Sequence, residues 1–237
     1  YLNYLNKNGI KGKKIGVLKH FFGELEIHKN TNNAVNKAIS IMEDYDAKII
    51  EIEDKIDSDY LVKHMSVHLY DLKDHLNSYL EKLPKDVSVH SVSEILSTGL
   101  HHEGIKENLE KAIQLSTGTD VYHKRLNERM KVQDLLINIM AYYELDALVY
   151  PHQKQLTCHV GESQNERNGV LASVTGFPSI CVPAGYSTVS TDAPLGVPIG
   201  MEILGRPFSE PILIEIAYSY EKASNVRQSP KSVPELD

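Results

Sequence analysis

The chain has 237 residues and a formal net charge of −7, from 25 lysines and arginines against 32 aspartates and glutamates. With 41% hydrophobic and 24% charged residues, its composition is typical of a soluble globular protein long enough to bury a sizeable core. The acidic excess argues against a nucleic-acid or anionic-membrane partner, because phosphate groups need a basic surface. No window approaches the roughly 18 uninterrupted apolar residues that a membrane-spanning helix requires.

The two cysteines, Cys158 and Cys181, form neither a disulfide framework nor a CxxC pair. We therefore expect a reducing compartment and a cytoplasmic location. The chain begins at Tyr1 without a methionine and without a recognisable targeting segment. Two interpretations of this beginning stay open: the residues are a piece of a longer protein, or the chain has been trimmed.

The first part of the chain has the pattern of a strand, a helix and a second strand. An apolar run at 15–18 follows the turn signal at Gly12 and predicts a buried strand. Apolar residues then recur at helical spacing from Asn30 or Thr31 to about residue 44, and alternation over 48–53 predicts a strand with one polar face. A unit of this kind favours parallel pairing of its two strands.

The middle of the chain is predicted to be helical. A stripe of apolar residues at steps of three and four predicts one continuous helix that ends before Pro84; its members are Leu61, Met65, Leu69, Leu72, Leu76 and Leu80. A shorter helix is expected at 105–115, and a third helix begins at Asp120 and carries an apolar face from Val132 to Tyr143.

The last third alternates between strands and helices. The predicted elements are a strand at 147–151, a polar loop at 152–165, a helix at 167–174, strands at 179–183 and 199–204, a closing helix capped by Ser209, and an extended tail at 225–237. Together the elements predict one α/β domain, residues 1–237, with a mixed, mostly parallel sheet flanked by helices on both faces.

Support for nucleophilic chemistry inside the chain is weak. No Gly-x-Ser-x-Gly elbow and no glycine-rich phosphate loop is present. The Ser-x-x-Lys pair formed by Ser219 and Lys222 falls in the closing helix, where we expect it to be structural. Cys158 lies in the loop after a strand, with His152 as a candidate base, and this pair is a weaker alternative.

Eleven histidines raise the question of a metal site. His64, His68, Asp71 and His75 share one side of the long predicted helix, each just before a member of the apolar stripe. We expect these side chains to be solvated and expect no bound metal. A zinc site built from the three histidines is the weaker alternative, because a helix comfortably offers only its i and i+4 residues to one ion.

Five segments of the chain resemble the closing half of the amidase signature family. They are GIKGKKIGVL at 9–18, DLKDHLNSYL at 71–80, DALVYP at 146–151, ASVTGFPSICVPAG at 172–185 and GVPIGMEILGRPF at 196–208. The resemblance extends over almost the whole chain and is most specific in the last third. It implies a hydrolase of carboxamides that uses a nucleophilic serine, a second serine in a cis peptide and a lysine, without metal or cofactor.

The resemblance also implies that those three catalytic residues precede the first residue of this sequence, so none of them is assigned here. We therefore expect the carboxy-terminal portion of an amidase, inactive alone, that acts on a small amide together with an amino-terminal half or self-associates. The implied pocket wall runs from Glu166 through Gly169 and Val170 to Ser173. A non-catalytic binding module built on the same scaffold is the alternative.

Overall fold

The computed structural model describes residues 1–229. The strands are β1 (Lys14–Leu18), β2 (Lys48–Ile52), β3 (Ala147–Pro151), β4 (Ser179–Tyr186) and β5 (Pro198–Leu204). The helices are α1 (Lys29–Asp44), α2 (Ser58–Met65), α3 (His68–Leu80), α4 (Val92–Thr98), α5 (Glu103–Gln114), α6 (Asp120–Tyr142), α7 (Val170–Thr175) and α8 (Glu210–Ser224). In the predicted tail, residues 225–229 have no regular structure, and 230–237 lie outside the described residues.

The five strands form one mixed sheet in the order β2-β1-β3-β5-β4. Strand β1 pairs in parallel with both β2 and β3, and β5 is antiparallel to both β3 and β4. The mixed α/β fold with flanking helices is therefore confirmed, and so is the parallel pairing of the first two strands. The antiparallel half brings the carboxyl end of β3 beside the beginning of β5, and this junction positions the candidate site.

A buried apolar core covers one face of the sheet. Alternate residues of the central strands, among them Val17, Val149 and Met201, belong to this core together with residues of α1 and α8. Val35 of α1 and Ile216 of α8 are fully buried there, as the helical spacing of apolar residues predicts. Because side chains alternate along a strand, the intervening residues are left to build the opposite face.

The described chain packs as two compact units. The first, which we call the sheet unit, contains Tyr1–Asp59 and the described part of Gln133–Asp237. The second, the helical unit, is Tyr60–Val132. Two compact units can belong to one domain, so the expectation of a single domain over residues 1–237 stays a prediction.

The continuous helix predicted from the apolar stripe is wrong, because the chain breaks between Met65 and His68. The Arg125 guanidinium donates hydrogen bonds to the carbonyls of Lys63 and Ser66, at 3.0 and 3.1 Å. A continuing helix would need those two carbonyls for its own i to i+4 hydrogen bonds. The steps of three and four between apolar residues continue across the break, so the spacing of apolar residues could not reveal the break.

Two elements of the last third differ in length from their predictions. Helix α7 begins only at Val170, because residues 167–169 pair with the chain after β3 instead: Arg167 forms a β-bridge with Gln153, and the N–H groups of the next two residues donate to the His152 carbonyl. Strand β4 continues through Pro183 to Tyr186. Since β4 is at the edge of the sheet, the missing N–H of a proline does not interrupt an inner ladder.

Candidate functional site

Three polar side chains lie in one row across the antiparallel part of the sheet. Glu202 of β5 is directly opposite Tyr150 of β3 on one side and Cys181 of β4 on the other. Residues directly opposite each other share a face, so the three side chains are neighbours on the face away from the α1–α8 core. Glu202 is only 3% exposed, and a buried carboxylate needs a partner.

His152 supplies that partner from the end of β3. Its Nδ1 lies 2.8 Å from Oε2 of Glu202. Gly200 lies close to Cys181: a Cβ added at position 200 would lie only 2.7 Å from Cys181 Sγ, and in ordinary contact, at 3.7 Å, with Cβ of His152. The His152 N–H also donates to the Gly200 carbonyl at 3.1 Å, which anchors the start of the loop. Glycine at position 200 therefore makes room for the Cys181 thiol beside the His152–Glu202 pair.

The Glu202 carboxylate sets the protonation behaviour of its neighbours. Its hydrogen bond raises the pKa of His152, which favours the imidazolium. Burial, together with the Glu202 charge, raises the pKa of Tyr150 well above its ordinary value. Cys181 is an exposed residue, but atoms pack around its thiol. This partial burial, together with the Glu202 charge, raises the pKa of the thiol to about 11. Cys181 is therefore a neutral thiol at physiological pH and a poor nucleophile.

A cavity of about 250 Å³ opens beside His152. Its lining residues are Thr31, His152, Gln153, Gln155, Leu156, Thr157, Cys181, Pro198, Ile199 and Gly200. The lining combines apolar side chains with a few polar groups, as is typical of small-molecule sites. One of the polar groups is unusual, because Thr31 is 2% exposed and its Oγ1 has no hydrogen-bond partner.

The four predicted pocket-wall residues lie next to this cavity's loop but do not line the cavity in the described structure. The carboxylate of Glu166 is 3.0 Å from Nε2 of the buried His28. Gly169 lies against the His152 ring, since an added Cβ would come within 2.4 Å of Cε1. Val170 begins α7, and the exposed Ser173 donates its hydroxyl to the Val170 carbonyl. Their role in substrate binding stays a prediction.

The nucleophile candidates within the chain have structural partners. Ser219 is 1% exposed, and its hydroxyl donates to the carbonyl of Lys7 at 2.8 Å. Cys158 Sγ donates to the Glu162 carbonyl at 3.4 Å, and the Nδ1 of His152 faces Glu202 instead of this thiol. No hydrogen bond among the described residues joins Cys158 to His152, so the structure does not support this pair.

The histidines of the zinc alternative are separated between α2 and α3. The His64 ring lies on Tyr60, with 4.4 Å between ring centroids, and His68 Nδ1 is 2.6 Å from the Ser66 hydroxyl. Within residues 1–229, no three His, Cys, Asp or Glu side chains come together in a way that could hold a metal ion.

Sequence reasoning missed Glu202 as a site residue. The signal was present, because Glu202 is the one charged residue in the apolar strand IGMEIL at 199–204. A carboxylate in a buried strand predicts a specific partner and a perturbed site. Finding that partner required the register of β3 against β5, which joins residues 50 positions apart.

Comparison with known proteins identifies the family. The family model described as Amidase matches residues 2–214, most of the chain. The chain belongs to the amidase family. Among curated proteins, a glutamyl-tRNA(Gln) amidotransferase subunit from Caldanaerobacter subterraneus subsp. tengcongensis is 29% identical over 98% of the chain and 49% of its own length. The corresponding protein from Thermoanaerobacter pseudethanolicus is 28% identical with the same coverage. The chain thus spans about half the length of the curated relatives it matches.

Solved structures of amidases have the same fold. The native peptide amidase from Stenotrophomonas maltophilia superposes with a TM-score of 0.76 at 22% identity, over 95% of this chain and 46% of that one. An amidase family protein from Bacillus anthracis str. Ames superposes with a TM-score of 0.71 at 26% identity, over 96% of this chain and 42% of that one.

In the described residues of this amidase-family chain, no helix combines the length and apolarity needed to cross a membrane.

Proposed function

We propose that the chain is the carboxy-terminal portion of an amidase that uses water to split a carboxamide C–N bond into a carboxylate and ammonia or an amine. The observation that carries the proposal is the amidase family match over residues 2–214. In this proposal the nucleophilic serine, the cis serine and the lysine come from polypeptide outside these 237 residues, and the chain alone is inactive. The partial coverage of the relatives supports this division.

This portion would contribute the sheet and part of the substrate pocket. The end of β3 and the segment from Glu166 to Val170 are joined by hydrogen bonds, including those from the N–H groups of Asn168 and Gly169 to the His152 carbonyl. The Asn168 side chain, which is fully buried, donates to the carbonyls of Phe21 and Pro151 at 2.7 and 2.8 Å. These bonds hold the proposed pocket wall against the sheet, and rigid placement of a wall is what substrate orientation requires.

Ammonia release over a panel of carboxamides, including small aliphatic, aromatic, peptidyl and glutamine amides, tests the proposal. The assay compares the chain with the product of the complete open reading frame that contains it. The proposal predicts that the complete product releases ammonia and that the chain alone does not. The proposal would be refuted if the chain alone released ammonia, or if neither protein released ammonia from any of the amides.

A second candidate is a component of an amidotransferase, favoured by the names of the two relatives described above. In that case the protein works with partner subunits, and hydrolysis is strongest when those partners are present. A non-catalytic binding module is the remaining alternative, and it requires that the complete protein bind an amide without releasing ammonia from it.

The proposal includes two further expectations about partners and place. The amino-terminal half of the amidase is the expected partner, and the chain without it is expected to self-associate through apolar surface, which sedimentation of the isolated chain would reveal. A cytoplasmic location is expected, where both free cysteines would stay reduced.

A further inference from the structure

The Thr31 hydroxyl is a buried group with an unused hydrogen-bonding capacity. Thr31 and Thr175 are both 2% exposed, but only the Thr175 hydroxyl has a partner, the Leu171 carbonyl at 2.8 Å. Oγ1 of Thr31 has none, although Thr31 lines the cavity beside His152. A buried hydroxyl without a partner destabilises a fold, so its presence on a cavity wall points to a ligand that it binds.

The position of Thr31 in α1 favours a negatively charged ligand. Thr31 is the third residue of this 16-residue helix. The first turn of a helix presents backbone N–H groups and carries the positive end of the helix dipole. A ligand oxygen that accepts a hydrogen bond from Thr31 would therefore lie in a positive field.

His152 offers a second donor to the same cavity. Its Nδ1 is held by Glu202, so Nε2 is the ring nitrogen left for a ligand, and 45% of the side chain is exposed. With Nδ1–H donating to the carboxylate, the neutral ring has an acceptor at Nε2, whereas the imidazolium has a donor there. Only the protonated ring can therefore donate to an anionic oxygen.

The remaining charges around the cavity do not oppose an anion. No aspartate or glutamate is among its lining residues. Of the titratable groups near His152, Glu202 on β5 is bound to the ring, Tyr150 on β3 and Cys181 on β4 flank Glu202 in the sheet, and α1 contributes none to the lining. Glu202 is bound to the far nitrogen of the ring, and the other two are neutral at physiological pH.

We propose that this cavity binds the carboxylate group of a small acidic ligand, with one oxygen accepting from Thr31 Oγ1 and the other from Nε2 of protonated His152. The apolar part of the ligand would lie against Leu156 and Ile199. Two kinds of ligand present this group: an amide substrate that carries a carboxylate besides its amide, and the acid that hydrolysis releases. Binding itself needs no turnover, so the inference stands or falls independently of the proposed hydrolysis.

Titration of the protein with isobutyrate and with isobutyramide, followed by NMR chemical shifts, tests the inference because the two probes have the same shape. Slightly below the pKa of His152, isobutyrate should bind about tenfold more tightly than isobutyramide, the size expected for a charge-assisted hydrogen bond. Above that pKa, isobutyrate affinity should fall about tenfold per pH unit, because the donor at Nε2 is lost. The affinity of isobutyramide should change little.

Two variants separate binding from folding. Thr31→Val removes the unpaired hydroxyl; it should weaken isobutyrate about tenfold and raise the melting temperature. Thr175→Val is the matched control: it removes a bonded hydroxyl, so it should lower the melting temperature and leave isobutyrate affinity unchanged. The double variant His152→Gln with Glu202→Gln removes both charges together and should abolish the preference for isobutyrate.

Equal affinity for the two probes, or unchanged isobutyrate affinity in Thr31→Val, would overturn the inference. If the protein hydrolyses amides, succinamate and butyramide distinguish the two sources of the carboxylate. A rise in KM for succinamate alone in Thr31→Val assigns the site to a substrate carboxylate. Unchanged KM for both amides, with weaker inhibition by isobutyrate, assigns it to the released acid.

Discussion

The sheet unit contains all the buried polar side chains of the described residues, and several of them bind residues distant in the chain, whereas the polar side chains of the helical unit are exposed or half-buried. Glu202, His28 and Asn168 are at most 3% exposed, and their partners include residues 17 to 147 positions distant. The helical unit instead has exposed pairs one helical turn apart, such as Lys111 with Glu107.

The distribution of charge follows the same division. Residues 60–132 contain ten acidic and ten basic side chains, so the entire net charge of −7 belongs to the sheet unit. A cavity with an unpaired buried hydroxyl and no acidic lining is therefore unexpected in this acidic part of the chain. The contrast indicates that buried polar groups in the sheet unit have specific roles, while the charged side chains of the helical unit mainly interact with water.

The largest expected effect comes from two side chains that each bind two carbonyls, one in each unit. Asn168→Ala should lower the free energy of unfolding by about 3 kcal/mol, because it leaves the carbonyls of Phe21 and Pro151 buried without donors. Arg125→Ala should lower it by only about 1 kcal/mol, since its carbonyls can be hydrated. Urea denaturation measures both, and equal losses would break the contrast between the units.

The pair formed by His152 and Glu202 should make stability depend on pH. Because the pKa of His152 is raised in the folded protein, its contribution is complete below the unfolded pKa of about 6.5 and is lost as pH rises through the folded pKa. Glu202→Gln should remove this dependence and lower stability by about 1 kcal/mol, a modest figure because the ring is half exposed. Denaturation of the unaltered protein and of Glu202→Gln from pH 5 to 9, together with an NMR titration of the His152 ring, tests this prediction. An unchanged pKa of His152 in Glu202→Gln would contradict the pairing.

Glycine-to-alanine changes should have opposite signs in the two units. Gly169→Ala places a Cβ against the His152 ring, so it should displace the ring from Glu202, lower the pKa of His152 and destabilise the fold by about 1 kcal/mol. In the helical unit, a Cβ at Gly104 would lie 3.1 Å from Nδ1 of His102, the residue that caps α5. Because this ring is exposed and can move by the few tenths of an ångström needed without losing the cap, Gly104→Ala should stabilise α5 by about 0.5 kcal/mol. Thermal denaturation distinguishes the signs, and stabilisation by both changes would show that Gly169 does not position His152.

The smallest effect is expected at the exposed pair of the helical unit. Lys111→Gln should let the pKa of Glu107 return upward, because the lysine hydrogen bond is what lowers it. Stability should not change measurably, since both side chains are largely exposed. A measurable loss of stability in urea would mean that local pairs in this unit matter more than the comparison allows.

Much of the sheet unit could be predicted from the sequence, because its elements combine periodic apolar residues with clear turn signals. The strands β1, β2, β3 and β5, and the helices α1 and α8, all lie close to their predicted positions. Helix α4 was missed although its signals were readable: the Ser91 side chain accepts the Glu94 N–H, and Gly99 ends the helix in a left-handed conformation. A short helix between two polar segments has too few apolar residues to show a period.

The site was less predictable than the fold, because it depends on which strands are neighbours. Gly169 was predicted as pocket wall from the chain's resemblance to the family, and that role stays a prediction, whereas His152 was matched with the nearby Cys158 instead of Glu202. Antiparallel pairing of β3 with β5 puts Glu202 beside His152, and no local pattern encodes that register. The unpaired hydroxyl of Thr31 is likewise a property of packing alone.

The most direct test of the central claim is to locate the nucleophile with a fluorophosphonate probe, which reacts with activated serines, followed by peptide mapping of the complete open reading frame product. We expect a single labelled serine outside these 237 residues and no label on the chain alone. Labelling of Ser66, Ser219 or any other residue within the chain would contradict it and place the chemistry inside this half.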